Sequence, residues 1–171
     1  MAYQFAVFIH LLADITWIGG TLFLVMVMVP LSRGFVEPPA LGVQILTQAA
    51  RRFRVVAWAS IILLVITGAF IATDQWRITP ALFFTSGSHF VKVLQIKAGL
   101  VALIIVLSAF HDFVLGPKVS KALERARSGG GEPSRGLKRG RLGLVWLARF
   151  NLLLVLAIVA LAIIMTRGFP T

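Results

Sequence analysis

The sequence predicts an all-α integral membrane protein, a four-helix bundle with both termini on the outer, periplasmic side. Three observations carry that expectation. The composition is too apolar for water: 58% of the 171 residues are hydrophobic and 13% charged, with a mean hydropathy of +0.93. A soluble domain carries about 45–50% apolar and about 25% charged residues. The apolar residues gather in four continuous runs, each long enough to cross about 30 Å of hydrocarbon. Finally, the net charge of +11 is concentrated in two of the connections. A chain this apolar excludes nucleic acid as a partner, which needs a polar basic surface, and it excludes disorder, which needs low hydrophobicity. With no cysteine there is no disulfide, thiolate nucleophile, zinc–thiolate site or iron–sulfur cluster.

The first run, about 5–29, ends at Pro30. It starts close to Met1, lacks a basic leader and exceeds the length of a signal-peptide core, so it is expected to remain as a span. The second, about 55–73, follows Arg51, Arg52 and Arg54. Asp74 to Ser88 forms a short outer loop whose Trp76, Phe83 and Phe84 suit an interfacial anchor. The third run, about 90–115, is stopped by Gly116-Pro117, and the fourth covers about 144–166. All four are continuously apolar rather than alternating, which favours helices over barrel strands. The chain 1–171 therefore reads as one transmembrane domain with a basic, flexible cytoplasmic loop at 118–142, in which 128–136 resembles a linker.

The loops after spans one and three hold four and eight basic residues, twelve of the 17 in the chain. By the positive-inside rule these loops are cytoplasmic, so the chain belongs in the cell inner membrane as a multi-pass protein with its ends outside. The basic charge then records topology and attraction to anionic lipid.

Ionisable residues inside a span are costly and are functional candidates by default. His10 and Asp14 in span one are four residues apart, hence on one helical face, and Trp17 and Thr21 continue the stripe. Span three carries Lys97, with Ser108 and His111 further along a similar face. At a rise of about 1.5 Å per residue, His10 and Lys97 both lie roughly 10 Å below the outer boundary. Thr67 falls in the same layer. His10, Asp14, Thr67 and Lys97 are thus expected to form an outer polar cluster. His111 lies near the inner boundary, where Asp112, Arg149 and Asn151 suggest a second polar layer.

Several chemistries fit the outer cluster. A plain ion pair between Asp14 and Lys97, with His10 bonded beside it, is the structural alternative. A buried histidine also suits an axial ligand of haem b, with Asp14 orienting it and His89 or Lys97 as the opposite ligand. Gly19-Gly20 and Thr67-Gly68 leave room for close helix packing or for a flat macrocycle. For copper, imidazole suits Cu(II) whereas Cu(I) favours sulfur. Met26 and Met28 point to nearly opposite helix faces, so His10 and His89 remain the metal-ligand candidates.

The segment from His10 to Gly20 (HLLADITWIGG) followed by Pro30 resembles the first helix of the copper-resistance protein D (CopD) family. Thr67-Gly68, Lys97 within VLQIKAGL and HDFVLGP from His111 are similar to later family positions, so the resemblance runs along essentially the whole chain. The spacing from His10 to Trp17 and the RFN at Arg149 to Asn151 also look like the HemJ-type haem-associated membrane proteins. The resemblance implies a copper-linked membrane protein in a superfamily where the first-helix histidine and third-helix lysine serve a haem site. The leading expectation is therefore b-type haem near the outer face acting in electron transfer. The alternatives are copper transport or homeostasis, and a non-catalytic subunit of a larger membrane complex. Expected partners are the lipid bilayer, a redox partner or larger complex, and a second copy of the chain as a homodimer.

Overall fold

The computed structural model describes residues 1–34, 39–119, 121–122 and 135–167. These are almost entirely helical. In chain order they form α1 (Ala2–Phe23), α2 (Val29–Gly34), α3 (Pro39–Asp74), α4 (Pro80–Thr85), α5 (His89–Ala109) and α6 (Arg135–Arg167), with π-helical turns at Leu24–Met28 and Phe110–Leu115. Four stretches are long and apolar enough to cross a membrane: Ala2–Ser32, Gln44–Asp74, His89–Val119 and Val145–Ile163. The all-α, four-span expectation holds.

The helices outrun the apolar runs. α3 begins at Pro39, well before the apolar run that starts near Val55, and α6 begins at Arg135, inside the stretch expected to be linker. The reason is that apolarity marks the thickness of hydrocarbon, whereas Leu, Arg, Lys and Ala are good helix formers on either side of it. Residues 128–134 of the expected linker lie outside the described residues.

Two compact units divide the chain, Met1–Thr85 and Ser86–Thr171. In the first, α1 packs along α3 as an antiparallel hairpin. Its seam carries small residues every seventh place, at Ala6, Ala13 and Gly20, which lets two backbones approach where lipid offers no hydrophobic drive between helices. Gly20 shows how tight the approach is: a Cβ there would overlap the ring of Phe53. On α3 the buried residues Ser60, Ile61, Thr67 and Ile71 form the matching face. Leu11, Ile15, Ile62 and Ile66 stay exposed, as suits side chains that face lipid.

The second unit pairs α5 with α6. Asn151 donates to the Ser108 hydroxyl at 2.7 Å, and a Cβ on Gly140 would meet Val119 at 3.2 Å. Both contacts fit one antiparallel register, which also puts Ile104 level with Val155. Ile104 is 1% exposed and Val155 7%.

Each π-helical turn sits just before a proline. The N–H of Val29 bonds the carbonyl of Leu24, and that of Gly116 the carbonyl of His111, five residues back in both cases. The next residues are Pro30 and Pro117. A proline within a helix lacks a donor and crowds the carbonyl four residues before it, and local π geometry relieves both. The two prolines lie 87 residues apart in sequence, and so do His10 and Lys97.

α3 is closed by Arg77, which among the described residues is the non-glycine residue with positive φ (53°), and the Ile78 N–H reaches back to the Ala72 carbonyl at 3.0 Å. Thr79 then caps α4, accepting from the Leu82 N–H at 3.3 Å, with Pro80 in the first helical position. Phe83 and Phe84 meet edge to face with centroids 5.1 Å apart. Phe84 is 79% exposed, in keeping with an interfacial anchor.

Candidate polar site of the first hairpin

The site is built from the two helices of the first unit. α1 carries His10 on the seam between Ala6 and Ala13, so its imidazole is directed at α3 and half-buried. Opposite lies Thr67, 8% exposed. His10 Nδ1 and Thr67 Oγ1 are 2.7 Å apart. The threonine hydroxyl in turn donates to the Leu63 carbonyl of its own helix at 2.6 Å. This back-bond to the i−4 carbonyl is the usual resource of a threonine in an apolar helix. Gly68 sits under the ring: a Cβ there would lie 3.4 Å from His10 Cε1 and 4.0 Å from Nδ1. A methyl at Gly68 would thus be in ordinary van der Waals contact with the ring.

Asp14 follows one turn along the same face of α1, also half-buried. Of the expected cluster of His10, Asp14, Thr67 and Lys97, the first unit holds three, and His10 and Thr67 are in hydrogen-bond contact. Of the paired glycines, Gly20 meets Phe53, whereas a Cβ on Gly19 would meet nothing within 4 Å. At Gly20 the packing reading of the glycines is the one realised.

His89 and Lys97 belong to the second unit. His89 is exposed at the first position of α5, directly after Ser88, whose hydroxyl accepts from the Val91 N–H at 3.3 Å and caps the helix. Lys97 is half-buried eight residues on, about 12 Å along the axis. His89 and Lys97 therefore stand at different levels of their helix.

The expected second polar layer resolves into separate contacts. His111 Nδ1 meets Asp112 Oδ1 at 2.9 Å within the π-helical turn, with side chains 33% and 20% exposed. Arg149 lies over Trp146, 5.4 Å from the ring centroid. The Asn151 amide reaches Ser108. The pairing of Asn151 with Ser108 and of Phe53 with Gly20 has no counterpart in the sequence reading. Both depend on helix register, which one sequence does not display.

Among the described residues, no three His, Cys, Asp or Glu side chains converge as a metal-holding group. The donors at the first-hairpin site are one imidazole with hydroxyl and carboxylate oxygens nearby. That set suits Cu(II) better than Cu(I), and it leaves most of an ion's coordination to water or other donors.

Four membrane-length helices, with one histidine–threonine couple bridging the first pair, define a small polytopic helical membrane protein. The family described as Copper resistance protein D matches residues 47–165, from within α3 through nearly all of α6. The chain belongs to the CopD family. The matched range includes Thr67, His89 and Lys97, whereas His10 and Asp14 precede it. No curated protein and no solved structure matches the chain, so the likeness to HemJ-type proteins gains no further support.

Proposed function

We propose that this protein handles copper within the membrane, with His10 as the residue that takes the ion and Asp14 as a carboxylate one turn along its path. The observation that carries the reading is the His10–Thr67 couple: an imidazole hydrogen-bonded across two largely apolar helices, in a chain of the copper-resistance family. Few protein donors suit an ion in transit, because a transported ion must be held weakly enough to leave. The charge of the loops supports an inner-membrane setting with both termini outward, which puts His10 in the outer half of its span.

Cu(II) titration of the purified protein in lipid nanodiscs, followed by metal analysis, tests the proposal. His10→Ala is expected to weaken copper binding at least tenfold while His111→Ala leaves it unchanged. Equal binding by wild type and His10→Ala would sink it. The haem b and electron-transfer reading uses the same histidine, with His89 or Lys97 as second ligand, but the family match speaks for copper. A Soret band and a reduced α-band that vanish in His10→Ala would favour haem instead.

A further inference from the structure

We propose that the inner end of the second hairpin holds a site for the phosphate of an anionic phospholipid, with Lys118 and Arg139 as its cations and Trp146 beneath them. The site lies wholly within the unit Ser86–Thr171 and is independent of the copper reading. Its frame is the contact of Gly140 with Val119, where a Cβ would meet the valine side chain at 3.2 Å. Lys118 and Arg139 each stand one residue before a member of that contact. In an antiparallel pair with about 3.6 residues per turn, two such positions fall on the same flank of the seam. Both side chains are exposed. Trp146 follows Arg139 by seven residues, so it shares that face about two turns, roughly 10 Å, deeper. It is 64% exposed, and Arg149 lies over its ring.

Two cations on one flank repel each other unless an anion joins them. The neighbouring sequence offers none: no Asp or Glu occurs from 113 to 123 or from 133 to 150, and Asp112 is bonded to His111. The counterion must then come from farther away, and depth decides which anion is at hand. The membrane-length stretch His89–Val119 ends at this contact, and the one on α6 begins at Val145. Lys118 and Arg139 therefore stand at the edge of the hydrocarbon, where lipid phosphates lie. An exposed tryptophan just below suits the interfacial layer of the same lipid. Basic pockets between spanning helices on the cytoplasmic side hold anionic head groups, and the loop charge makes this the cytoplasmic end. Loop charge draws anionic lipid over the whole inner face; this flank gives one lipid a fixed place.

Trp146 itself is the reporter for the test. Trp17→Phe, Trp58→Phe and Trp76→Phe leave it as the one tryptophan. In vesicles of dibrominated phosphatidylcholine the bromines quench its fluorescence, and unbrominated phosphatidylglycerol that takes their place restores it. The expected result is a preference for phosphatidylglycerol of at least about fivefold at this site. Lys118→Gln with Arg139→Gln should abolish the preference, whereas Lys118→Arg with Arg139→Lys should keep it. Arg51→Gln with Arg52→Gln removes the same charge from the first unit and should leave the preference unchanged. No preference in the parent protein overturns the site. So does an equal loss in the two glutamine pairs, which would mean diffuse attraction by the loops. Inorganic phosphate added at constant ionic strength should not bring the quenching back; if it does, the flank binds a soluble anion and the lipid assignment is overturned.

Discussion

In the first hairpin His10, Thr67 and the Leu63 carbonyl form a chain of hydrogen bonds at 2.7 and 2.6 Å; in the second, Asn151 donates to Ser108 but its Oδ1 is buried with no hydrogen-bond partner among the described residues. The architecture around the two is closely alike. Each has a long apolar helix, a π-helical turn, a proline, and an antiparallel return helix. The difference lies in what the polar groups achieve. A bond between two helices that satisfies both partners aligns them and orients the histidine. One that strands an acceptor in an apolar interior aligns the helices at a cost. The first is thus the better place to hold a side chain for chemistry, and the second the better place to look for expendable polarity.

The tightest helix contact offers the largest effect on stability. Gly20→Ala pushes a methyl into the Phe53 ring and should cost about 1–3 kcal/mol, as overpacking does. Gly19→Ala, where a Cβ meets nothing within 4 Å, should be neutral or stabilising by up to about 1 kcal/mol. Reversible unfolding in mixed micelles measures both. Equal effects at neighbouring glycines would mean that α1 does not approach α3 at Gly20.

The polar bridges come next, and opposite signs are expected. Thr67→Val removes the hydroxyl partner of His10 Nδ1 and should destabilise by about 1–3 kcal/mol. Asn151→Leu, of similar volume, removes a buried acceptor that lacks a donor. It should be neutral, or stabilising by up to about 1 kcal/mol, since Ser108 can turn its hydroxyl to its own helix. A loss on Asn151→Leu as large as that on Thr67→Val would erase the contrast between the hairpins.

The smallest effect lies at the end of α3. Arg77 holds a left-handed backbone (φ 53°), which an L-residue adopts at a cost of roughly 1–2 kcal/mol that glycine largely avoids. Glycine loses more chain entropy on folding, so the net gain of Arg77→Gly should stay within about 1 kcal/mol. It would appear as a small rise in Tm, with copper binding by the first hairpin unaltered.

Much of this molecule was legible before any coordinate. Its solvent followed from the apolar runs, and all four spans fall on observed helices. Both prolines that stop the first and third runs mark the π-helical turns. His10 and Thr67 were singled out because a polar residue inside an apolar run is costly, and their common depth followed from counting residues along two spans. Counting does not predict rotation. Nothing in a single sequence says that Phe53 covers Gly20, or that Asn151 turns to Ser108 while Arg149 turns to Trp146.

The sequence by itself determined the solvent, the helical class and the level at which polar groups sit, because the bilayer imposes a length and a polarity on every segment that crosses it. Only the tertiary structure decided which polar groups meet. Side-chain pairing depends on the rotation and register of packed helices, which small residues such as Gly20 permit through close approach. From that register came the contact between His10 Nδ1 and the Thr67 hydroxyl.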